Sequence, residues 1–363
     1  MQLVDRLEQL QALHADWQHL AARCPDATFF GTPDWLLTWW RHFGRRRPLL
    51  ALADWEQGRL AGLLLLMADR LGPARRLRFL GTGGTDYLDA LVEPGREPQF
   101  WQRVLEVLAG LPWDLADLQQ VPAGSPTLEA LPPAAAHHCW RAEICPQEPC
   151  PFLNLPVDWE CFRASLGKKM RWNLGYYPRL AQRQLGAEVV DCTGERRETA
   201  MERLFALHSR RWHRRWLPGA FATARVRAFH RELAAACDQA GTLRLYGLAQ
   251  DGDLHAILYC YRWGDRVYYY QGGFDPALAR YSPGTILVGR AIADALATGA
   301  RGLDFLRGGE SYKYRWGAQD RLNHRLRLVR PGWRGRAGLS LSRCQQEVEQ
   351  SVKKIASKAA APA

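Results

Sequence analysis

The sequence predicts an α/β protein of two similar units, each with a mixed, mostly antiparallel sheet flanked by helices. The chain has 363 residues, 47% of them hydrophobic and 24% charged, which is enough for two globular domains. Apolar positions alternate along the chain between strand spacing and helix spacing. A short pattern also recurs about halfway along, as GRLAGLL at 58–64 and GDLHAIL at 252–258. These observations together favour a duplicated α/β unit.

The repeated pattern is Gly-x-Leu-x-small-x-Leu, and in both copies it follows an apolar strand and a polar turn. A glycine in that place is typical of a tight hairpin turn, and the residues after it keep one apolar face. We therefore expect strands 52–58 and 244–250 to be equivalent. The predicted domains are 1–150 and 151–330, followed by a basic C-terminal tail at 331–363.

The first unit begins with leucines at three-and-four spacing, which predicts an amphipathic surface helix. Residues 122–151 are rich in Pro and Ala and indicate a loop and crossover. Between these segments the spacing of apolar residues predicts, in order, helices at 1–22 and 33–43, a hairpin at 49–68, short strands near 76–80 and 87–92, a helix at 97–109 and a strand at 114–121.

The second unit opens with a basic helical segment at 158–186, and Pro178 is expected to interrupt it because proline lacks an N–H. The rest of the unit is expected to be α/β, similar to the first. The pattern predicts a strand at 187–191, helices at 196–216 and 223–240, a three-strand meander at 242–274, a helix at 283–298, a strand at 303–307, a short helix and a final strand near 324–329.

Composition excludes several classes of protein. Nine cysteines without any C-x-x-C pair indicate reduced thiols, and we expect no metal site. Reduced thiols favour a cytoplasmic protein, and peripheral contact at the inner face of a membrane stays open. No segment approaches the length of uncharged apolar residues that a membrane span needs. The formal charge of +12 is concentrated in patches such as RHFGRRR (41–47) and RLNHRLRLVR (321–330). Such patches attract anionic partners, although a solvated basic face explains each of them as well.

A candidate anion site follows the strand at 267–271, which ends on Gly272 and Gly273. Glycines there permit a ligand to approach the backbone closely. The next helix starts at SPGT, with Ser282 as N-cap and proline at the first helical position. Its free N–H groups and positive dipole end are suited to an anion. An ordinary capped helix beside a glycine turn explains the pattern equally well.

A cluster of titratable residues follows the strand at 303–307. Asp304 shares a face with Leu306 and is expected to be half-buried, where loss of water raises the pKa of a carboxyl group. A buried acid satisfied by Arg307, Arg315 or backbone N–H groups is the structural alternative. The segment after Gly308 then brings an acid, a tyrosine and a lysine together, at Glu310, Tyr312 and Lys313.

Several segments resemble the CelD/BcsL group of acetyltransferases in the GNAT superfamily and, more distantly, the Fem-type aminoacyl transferases that build peptidoglycan bridges. The resemblance implies two tandem GNAT-like domains. The segments that carry it are FFGTPDWLLTWWRHFG (29–44), LRFLGTGGTDYLDALV (77–92), LGKKMRWNL (166–174), YYYQGGFDPALARYSPGTIL (268–287) and DFLRGGESYKYRWG (304–317).

The resemblance implies acyl transfer to an amine, with acetyl-CoA or another acyl-CoA as co-substrate. In such folds the donor lies in a split between neighbouring strands, and its pyrophosphate lies at a helix N-terminus. The family pattern at the phosphate loop is Arg/Gln-x-x-Gly-x-Gly/Ala, from which RYSPGT departs, so an aminoacyl-tRNA donor stays open. The residues that match the donor site are Gln271, Gly272, Gly273, Ser282, Gly284 and Thr285.

Roles for the cluster after residue 303 also follow from the resemblance. Lys313 matches a cation near the reacting carbonyl and is expected to stabilise the oxyanion. Tyr312 matches the general acid of many GNAT enzymes, and Asp304 or Glu310 is expected to be the base or to orient it. The residues expected on the substrate side are Asp86, Tyr87, Arg171, Arg307 and Arg315.

Three functions from different classes are consistent with these patterns. The first is an N-acyltransferase acting on an amino sugar or another envelope or exopolysaccharide precursor, with an anionic or lipid-linked saccharide as acceptor. The second is a Fem-like aminoacyl transferase that uses charged tRNA; nucleic acid is otherwise not expected. The third is a GNAT-like pair without catalysis that serves as a binding subunit in polysaccharide assembly.

Overall fold

The structure is a computed structural model that describes residues 1–213 and 219–360. The chain divides into two compact units. Unit 1 is Met1–Glu148 together with Leu322–Ala363, and unit 2 is Pro149–Arg321. Among the described residues, no helix is both long enough and apolar enough to cross a bilayer.

Unit 1 is a sheet covered by helices, and its core is rich in Leu, Trp and Phe. Its α3 helix shows how the sequence sets an element, since Thr32 accepts a hydrogen bond from the Trp35 N–H and Pro33 occupies the first helical position. The elements are β1 (Gln2–Val4), α1 (Leu7–Ala12), α2 (His14–Arg23), α3 (Pro33–Trp39), β2 (Leu49–Glu56), β3 (Arg59–Leu71), β4 (Ala74–Phe79), β5 (Leu91–Val92), α4 (Glu97–Ala109), β6 (Leu115–Val121), α5 (Thr127–Ala136) and the first part of β7 (Arg141–Asn154).

Unit 2 has the same alternation, with a core of aliphatic and aromatic side chains between its sheet and the helices α7 (Lys168–Leu185) and α10 (Pro283–Ala297). Within the unit, α10 packs on one face of the sheet through Ile292 and Ala295. The elements are the end of β7, then α6 (Trp159–Ser165), α7 (Lys168–Leu185), β8 (Glu188–Asp191), α8 (Arg197–His213), α9 (Ala224–Gln239), β9 (Leu243–Gln250), β10 (Asp253–Trp263), β11 (Arg266–Phe274), α10 (Pro283–Ala297), β12 (Gly302–Asp304) and α11 (Ser311–Tyr314).

The chain then returns to unit 1 through β13 (Gln319–Val329) and α12 (Trp333–Ala360). The strand order in unit 1 is β1-β2-β3-β4-β6-β13, with β5 beside β3, and the order in unit 2 is β8-β9-β10-β11-β12-β7. In each order the fourth and fifth strands are parallel and the other neighbours are antiparallel. The mixed, mostly antiparallel α/β fold class is thus as predicted.

The hairpins that carry the sequence repeat have the same irregularities. Each turn consists of a residue and a glycine that both have positive φ, Gln57–Gly58 and Asp251–Gly252. In each hairpin the pairing then shifts by one residue after two pairs, which leaves Ala61 in β3 and His255 in β10 as extra residues. A shared bulge at the same distance from a shared turn supports equivalence of the two hairpins.

The observed domain boundary differs from the prediction at the C-terminal end. Residues 322–330 were assigned to the second domain, but β13 pairs with β6 and belongs to unit 1. The segment predicted as a tail contains α12, which packs on β4 and β6 of unit 1. The pairing of β13 with β6 joins residues about 200 positions apart in the sequence, such as Leu326 and Leu118, so no local sequence pattern predicts it.

Other predicted elements also differ from the structure, and residues 122–151, expected to be a loop and crossover, contain α5 and most of β7. The first helix is preceded by β1, and α7 continues through Pro178 without a break. The strand predicted at 267–271 includes both glycines and ends at Phe274, whereas the strand predicted at 303–307 ends early, at Asp304. The helix predicted at 196–216 is present to His213, and residues 214–216 lie outside the described residues.

The basic run at 321–330 is not a solvated face. Arg325 and Arg327 are fully buried in unit 1, where Arg325 donates two hydrogen bonds of 2.6 Å to the carboxylate of buried Asp117. The hydroxyl of Ser342 on α12 donates to the same carboxylate at 3.2 Å. Burial alone would raise the pKa of Asp117, but the hydrogen bonds and charge of Arg325, together with nearby Arg327, lower it.

Candidate functional site

An opening between two neighbouring strands lies at the centre of unit 2. Strands β11 and β12 pair in parallel at only three positions, the last being Tyr268 opposite Asp304. The β11 strand continues to Phe274, whereas the chain after Asp304 leaves the sheet. A bulge at Tyr270 bends β11 just beyond the last pair, since Tyr259 pairs with Gln271 and Cys260 with Tyr269. The sheet is therefore split from residue 269 onward.

The start of α10 follows β11 and has the properties of an anion site. Ser282 is left-handed, with φ of 50°, and its carbonyl accepts hydrogen bonds from Thr285 and Ile286. Pro283 has no N–H, so Gly284 presents the first free N–H group of the helix. A side chain on exposed Gly284 would meet nothing within 4 Å, and the first turn holds no acidic residue. The side chain of Ser282 makes no capping hydrogen bond to the helix backbone, contrary to the expectation, so the helix end is open and its dipole is not neutralised.

The corresponding helix of unit 1 starts differently. Along the chain, α4 comes between β4 and β6, the fourth and fifth strands of the unit 1 sheet order, and it begins at Glu97. A carboxylate in the first turn occupies the place that favours negative charge, and it repels a second anion. The preceding residue, Arg96, is engaged in an ion pair with Glu56. This supports the expectation that the first unit lacks a donor site, which stays a prediction.

The two glycines of β11 have protein neighbours rather than open space beside them. A methyl group on Gly273 would lie 3.2 Å from the backbone nitrogen of His208 and 3.2 Å from Cβ of Leu207. A methyl group on Gly272 would lie 2.8 Å from the hydroxyl of Tyr269. The missing side chain of Gly273 therefore lets α8 pack close to β11, and that of Gly272 leaves room for the hydroxyl group of Tyr269. Their sequence-predicted role in ligand approach remains a prediction.

Tyr312 lies at the mouth of the split. Its ring centroid is 6.4 Å from that of Tyr269 and 6.3 Å from that of Phe305, the residues that directly follow the last strand pair. The side chain is 38% exposed, which leaves the tyrosine accessible to a ligand. Tyr269 was not among the sequence-predicted site residues; the run of aromatic residues YYY at 268–270 is the signal that marks it.

Asp304 is buried, rather than half-buried as expected, and organises the turn after β12. Its Oδ1 accepts a hydrogen bond of 2.8 Å from the N–H of Leu306. Leu306 has a φ of 57°, a left-handed conformation that is unfavourable for a leucine. The carboxylate thus stabilises a strained turn at the end of the strand.

Lys313 is buried and holds the other side of the same turn. Its Nζ donates to the carbonyl oxygens of Leu306, Arg307 and Gly308 at 3.2, 3.0 and 2.9 Å, respectively. It also pairs with Glu310 at 2.8 Å. An ammonium group has three N–H donors, so these partners use its hydrogen-bonding capacity. To stabilise an oxyanion, Lys313 must give up one of these four partners and bind the oxyanion in its place.

Glu310 and the arginines of this segment are closer to solvent. Glu310 precedes α11 as its N-cap residue and has a side chain that is 57% exposed. Arg307 is half-buried and Arg315 is exposed. Burial and a hydrogen bond to Asp320 raise the pKa of Tyr314 to about 12, so that its hydroxyl is a poor proton donor. Tyr312 is the better candidate acid of α11.

Asp304 has a counterpart in unit 1. Asp117 lies two residues after Leu115, the first residue of β6 that pairs with β4. Asp304 likewise lies two residues after Gly302, the first residue of β12 that pairs with β11. The antiparallel partner of Asp117 is Arg327, whereas that of Asp304 is Phe152. The same position thus carries an arginine-bound carboxylate in unit 1 and a turn-forming carboxylate in unit 2. Sequence inspection had not singled out Asp117.

The remaining predicted substrate residues are divided between the units. Asp86 and Tyr87 are buried in unit 1, where Tyr87 has a left-handed φ of 49° and packs near Phe30. Arg171 is exposed on the first turns of α7 in unit 2. Their role in acceptor binding stays a prediction.

Neither a metal centre nor a thiol nucleophile is indicated in the described part of the chain. No group of three or more His, Cys, Asp or Glu side chains there is arranged to hold a metal ion. Burial raises the pKa of Cys24 to about 12 and that of Cys192 to about 11, which keeps these thiols protonated.

Comparisons with known proteins show the same type of fold. The chain is similar to a crystal structure of FemX, with a TM-score of 0.65 and 10% identity, over 90% of this chain and 97% of that one. A conserved protein of unknown function from Bacteroides thetaiotaomicron has a TM-score of 0.56 and 11% identity, over 90% and 99% of the two chains. L-PGS from Bacillus licheniformis has a TM-score of 0.51 and 10% identity, over 86% and 96%.

No curated protein sequence matches the chain. One family model does, and it covers the segment from the first residue of α7 to the last residue of α11. That segment contains both diverging strands, α10 and the turn held by Lys313. Over residues 168–314, this chain matches the acetyltransferase (GNAT) domain family.

Proposed function

We propose that this protein is an N-acyltransferase that moves an acetyl or other acyl group from acyl-CoA to an amine. The observation that carries the proposal is the split between β11 and β12 beside the uncapped N-terminus of α10. A split exposes backbone groups of a strand to an extended thioester, and the helix N-terminus suits the pyrophosphate of coenzyme A. The donor site would comprise the β11 segment at 271–273 and the α10 start at 282–285.

The reaction forms an amide bond and breaks a thioester bond. The amine nitrogen attacks the carbonyl carbon and loses a proton to a base, and the sulfur leaves as a thiolate that must be protonated. Tyr312 is exposed at the mouth of the split and serves as the acid in this proposal. Glu310, which is exposed, is better placed than buried Asp304 to exchange protons with solvent. Asp304 then orients the turn.

The acceptor in this proposal is an amino sugar or another envelope or exopolysaccharide precursor. The resemblance to the CelD/BcsL group supports this class, and the net charge of +12 suits an anionic or lipid-linked saccharide. The protein would then act in the cytoplasm, where acyl-CoA is available. Arg171, exposed on α7, and Arg307 and Arg315 are the proposed acceptor cations.

The substitution Gly284→Asp tests the donor site. An aspartate in the first turn of α10 suits the helix dipole and meets no neighbour, so the fold should be kept. Its charge should repel the pyrophosphate and weaken acetyl-CoA binding at least about tenfold in calorimetry, because like charges at such a site cost over about 1 kcal/mol. Gly284→Asn separates the effect of charge from that of bulk.

Ala224→Asp is the matched control, since Ala224 is an exposed residue at the first position of α9 in the same unit. It adds the same charge at another helix N-terminus and should leave acetyl-CoA affinity unchanged. Equal loss of affinity in both aspartate variants would contradict a donor site at α10. The same would follow if acetyl-CoA bound Gly284→Asp as tightly as the unmodified protein.

A Fem-like aminoacyl transferase is the second candidate, favoured by the similarity to FemX and by the net charge of +12. It predicts retention of tRNA by the purified protein and aminoacyl transfer without any acyl-CoA. If neither donor binds while saccharide precursors do, the third function, a binding subunit in polysaccharide assembly, is supported.

A further inference from the structure

Helix α7 has two contrasting faces. Its buried face consists of Met170 and Ala181, with Leu174, Tyr177 and Leu185 packed beside them on the core of unit 2. These positions recur at helical spacing and account for how the helix is held. The opposite face of the helix does not take part in this packing.

The outer face carries charge of one sign. Lys168, Trp172, Arg179 and Arg183 follow one another at spacings of four, seven and four residues, which places them in one stripe. All four are exposed, and the stripe extends about 22 Å along the helix at 1.5 Å per residue. Such a stripe is straight and solvent-facing.

The charge of this helix is unbalanced. Residues 168–185 contain five cations, two lysines and three arginines, and no Asp or Glu. Within the described residues, none of these five forms an ion pair with a carboxylate. Arg179 instead donates to the carbonyl of Gly175 on its own helix, at 2.7 Å. In the part of the chain that the structure describes, no carboxylate therefore lies within ion-pair distance of the stripe.

An aromatic pair lies within the stripe. The rings of Trp172 and Tyr176 are stacked, with centroids 4.1 Å apart and an interplanar angle of 19°. Trp172 is nevertheless 57% exposed, so that a large part of its indole ring faces solvent. Trp and Tyr beside Lys and Arg are the side chains enriched where proteins meet the headgroup layer of a bilayer.

From this face we infer that α7 docks the protein onto an anionic membrane surface, with Lys168, Arg179 and Arg183 against lipid phosphates and Trp172 at the headgroup level. A straight, positively charged stripe is complementary to a flat, negatively charged lipid surface. A single-stranded nucleic acid is less well matched, because Tyr176 already covers one face of the Trp172 ring that a base would need. The inference goes beyond the proposed function and does not depend on the identity of the acyl donor.

Vesicle co-sedimentation tests the inference without any activity measurement. The full-length protein should bind vesicles of phosphatidylglycerol and phosphatidylcholine in equal parts, should not bind pure phosphatidylcholine, and should be released as salt rises. Arg179→Glu with Arg183→Glu should lower the partition coefficient at least about 25-fold, at about fivefold for each neutralised charge. Trp172→Ala should lower the fraction that stays bound at high salt.

Arg45→Glu with Arg46→Glu is the matched control, because both arginines are exposed, adjacent to one another and in unit 1. This control changes the net charge by the same amount as Arg179→Glu with Arg183→Glu, and it should retain most of the vesicle binding. An equal loss in both double variants would overturn the inference by assigning binding to overall charge. Absence of vesicle binding, or tRNA binding that only the α7 variant abolishes, would overturn it as well.

Discussion

The side chains of Asp304 and Lys313 hold the same residue, Leu306, by its two backbone groups. The carboxylate accepts the Leu306 N–H at 2.8 Å, and the ammonium donates to the Leu306 carbonyl at 3.2 Å. Both side chains are buried, and Leu306 between them is left-handed. The turn at the end of β12 is therefore fixed by two charged groups of opposite sign, which is stronger than either bond alone.

Replacement of Lys313 by methionine should lower both stability and activity. The variant leaves the carbonyl oxygen of buried Leu306 and those of half-buried Arg307 and Gly308 without this donor, and we expect the free energy of unfolding to fall by about 3 kcal/mol. Turnover should fall about a hundredfold or more, whether the lysine stabilises an oxyanion or positions the turn. Parallel measurement of thermal unfolding and kcat checks this.

Glu310→Gln is the control for stability alone, since it removes the exposed partner of Lys313 and should cost less than about 1 kcal/mol of unfolding free energy. An unchanged melting temperature in Lys313→Met would contradict the structural role of the ammonium group. If that variant were also fully active, Lys313 would have no part in the mechanism.

Tyr312→Phe should lower kcat by about a hundredfold or more if the hydroxyl is the general acid. The phenyl ring keeps the contacts with Tyr269 and Phe305, so acyl-CoA affinity and melting temperature should stay unchanged. Tyr314→Phe is a close control, because Tyr314 lies on the same helix with the same 38% exposure. Its kcat should stay within about twofold; similar losses in the two variants would refute the assignment.

Asp117→Asn should destabilise unit 1 by about 3–5 kcal/mol, because it removes the buried carboxylate that pairs with the buried charge of Arg325 at 2.6 Å. The pKa of Asp117 is lowered in the folded protein, so its stabilising contribution is complete above pH 4 and is lost as pH falls below that value. The difference in free energy of unfolding between Asp117→Asn and the unmodified protein, measured by urea unfolding, should therefore shrink in acid. Glu202→Gln, in an exposed pair with Arg231, should have little effect at any pH.

Asp89 should give the opposite pH dependence. Loss of water around this half-buried residue raises the pKa of its carboxyl group to about 6, although Ser125 and Thr127 donate hydrogen bonds to it. The folded state then binds a proton more tightly than the unfolded state, so stability from this group is present below pH 4 and is lost as pH rises through 6. Asp89→Asn should gain up to about 3 kcal/mol relative to the original protein between pH 4 and pH 7.5. A constant difference in melting temperature across that range would contradict the raised pKa.

The fold class and the repeat were accessible from the sequence because their signals are local. A hairpin turn with Gly58 or Gly252 and the alternation after it extend over fewer than ten residues. The pairing of β13 with β6 is not local, and no neighbouring residue indicates it. The alternation of Arg325, Leu326 and Arg327 therefore resembled a strand with one solvated face, whereas both faces are buried.

The candidate site was accessible in part for a similar reason. The acid, tyrosine and lysine after β12 were found because they are close together in the chain. The partners of Lys313 are backbone carbonyl groups, which every residue possesses and which no sequence pattern marks. The glycines of β11 were expected to face a ligand, but their neighbours are Tyr269 and α8, and those contacts depend on tertiary packing.

The return of the chain to unit 1 through β13 and α12 sets an order of events during synthesis. Unit 2 is one continuous segment and has all its strands once residue 321 has left the ribosome. Unit 1 must wait for Leu322–Ala363, and until then β6 lacks its neighbour and Asp117 lacks Arg325. The half of the protein that is translated first is therefore the half that is completed last.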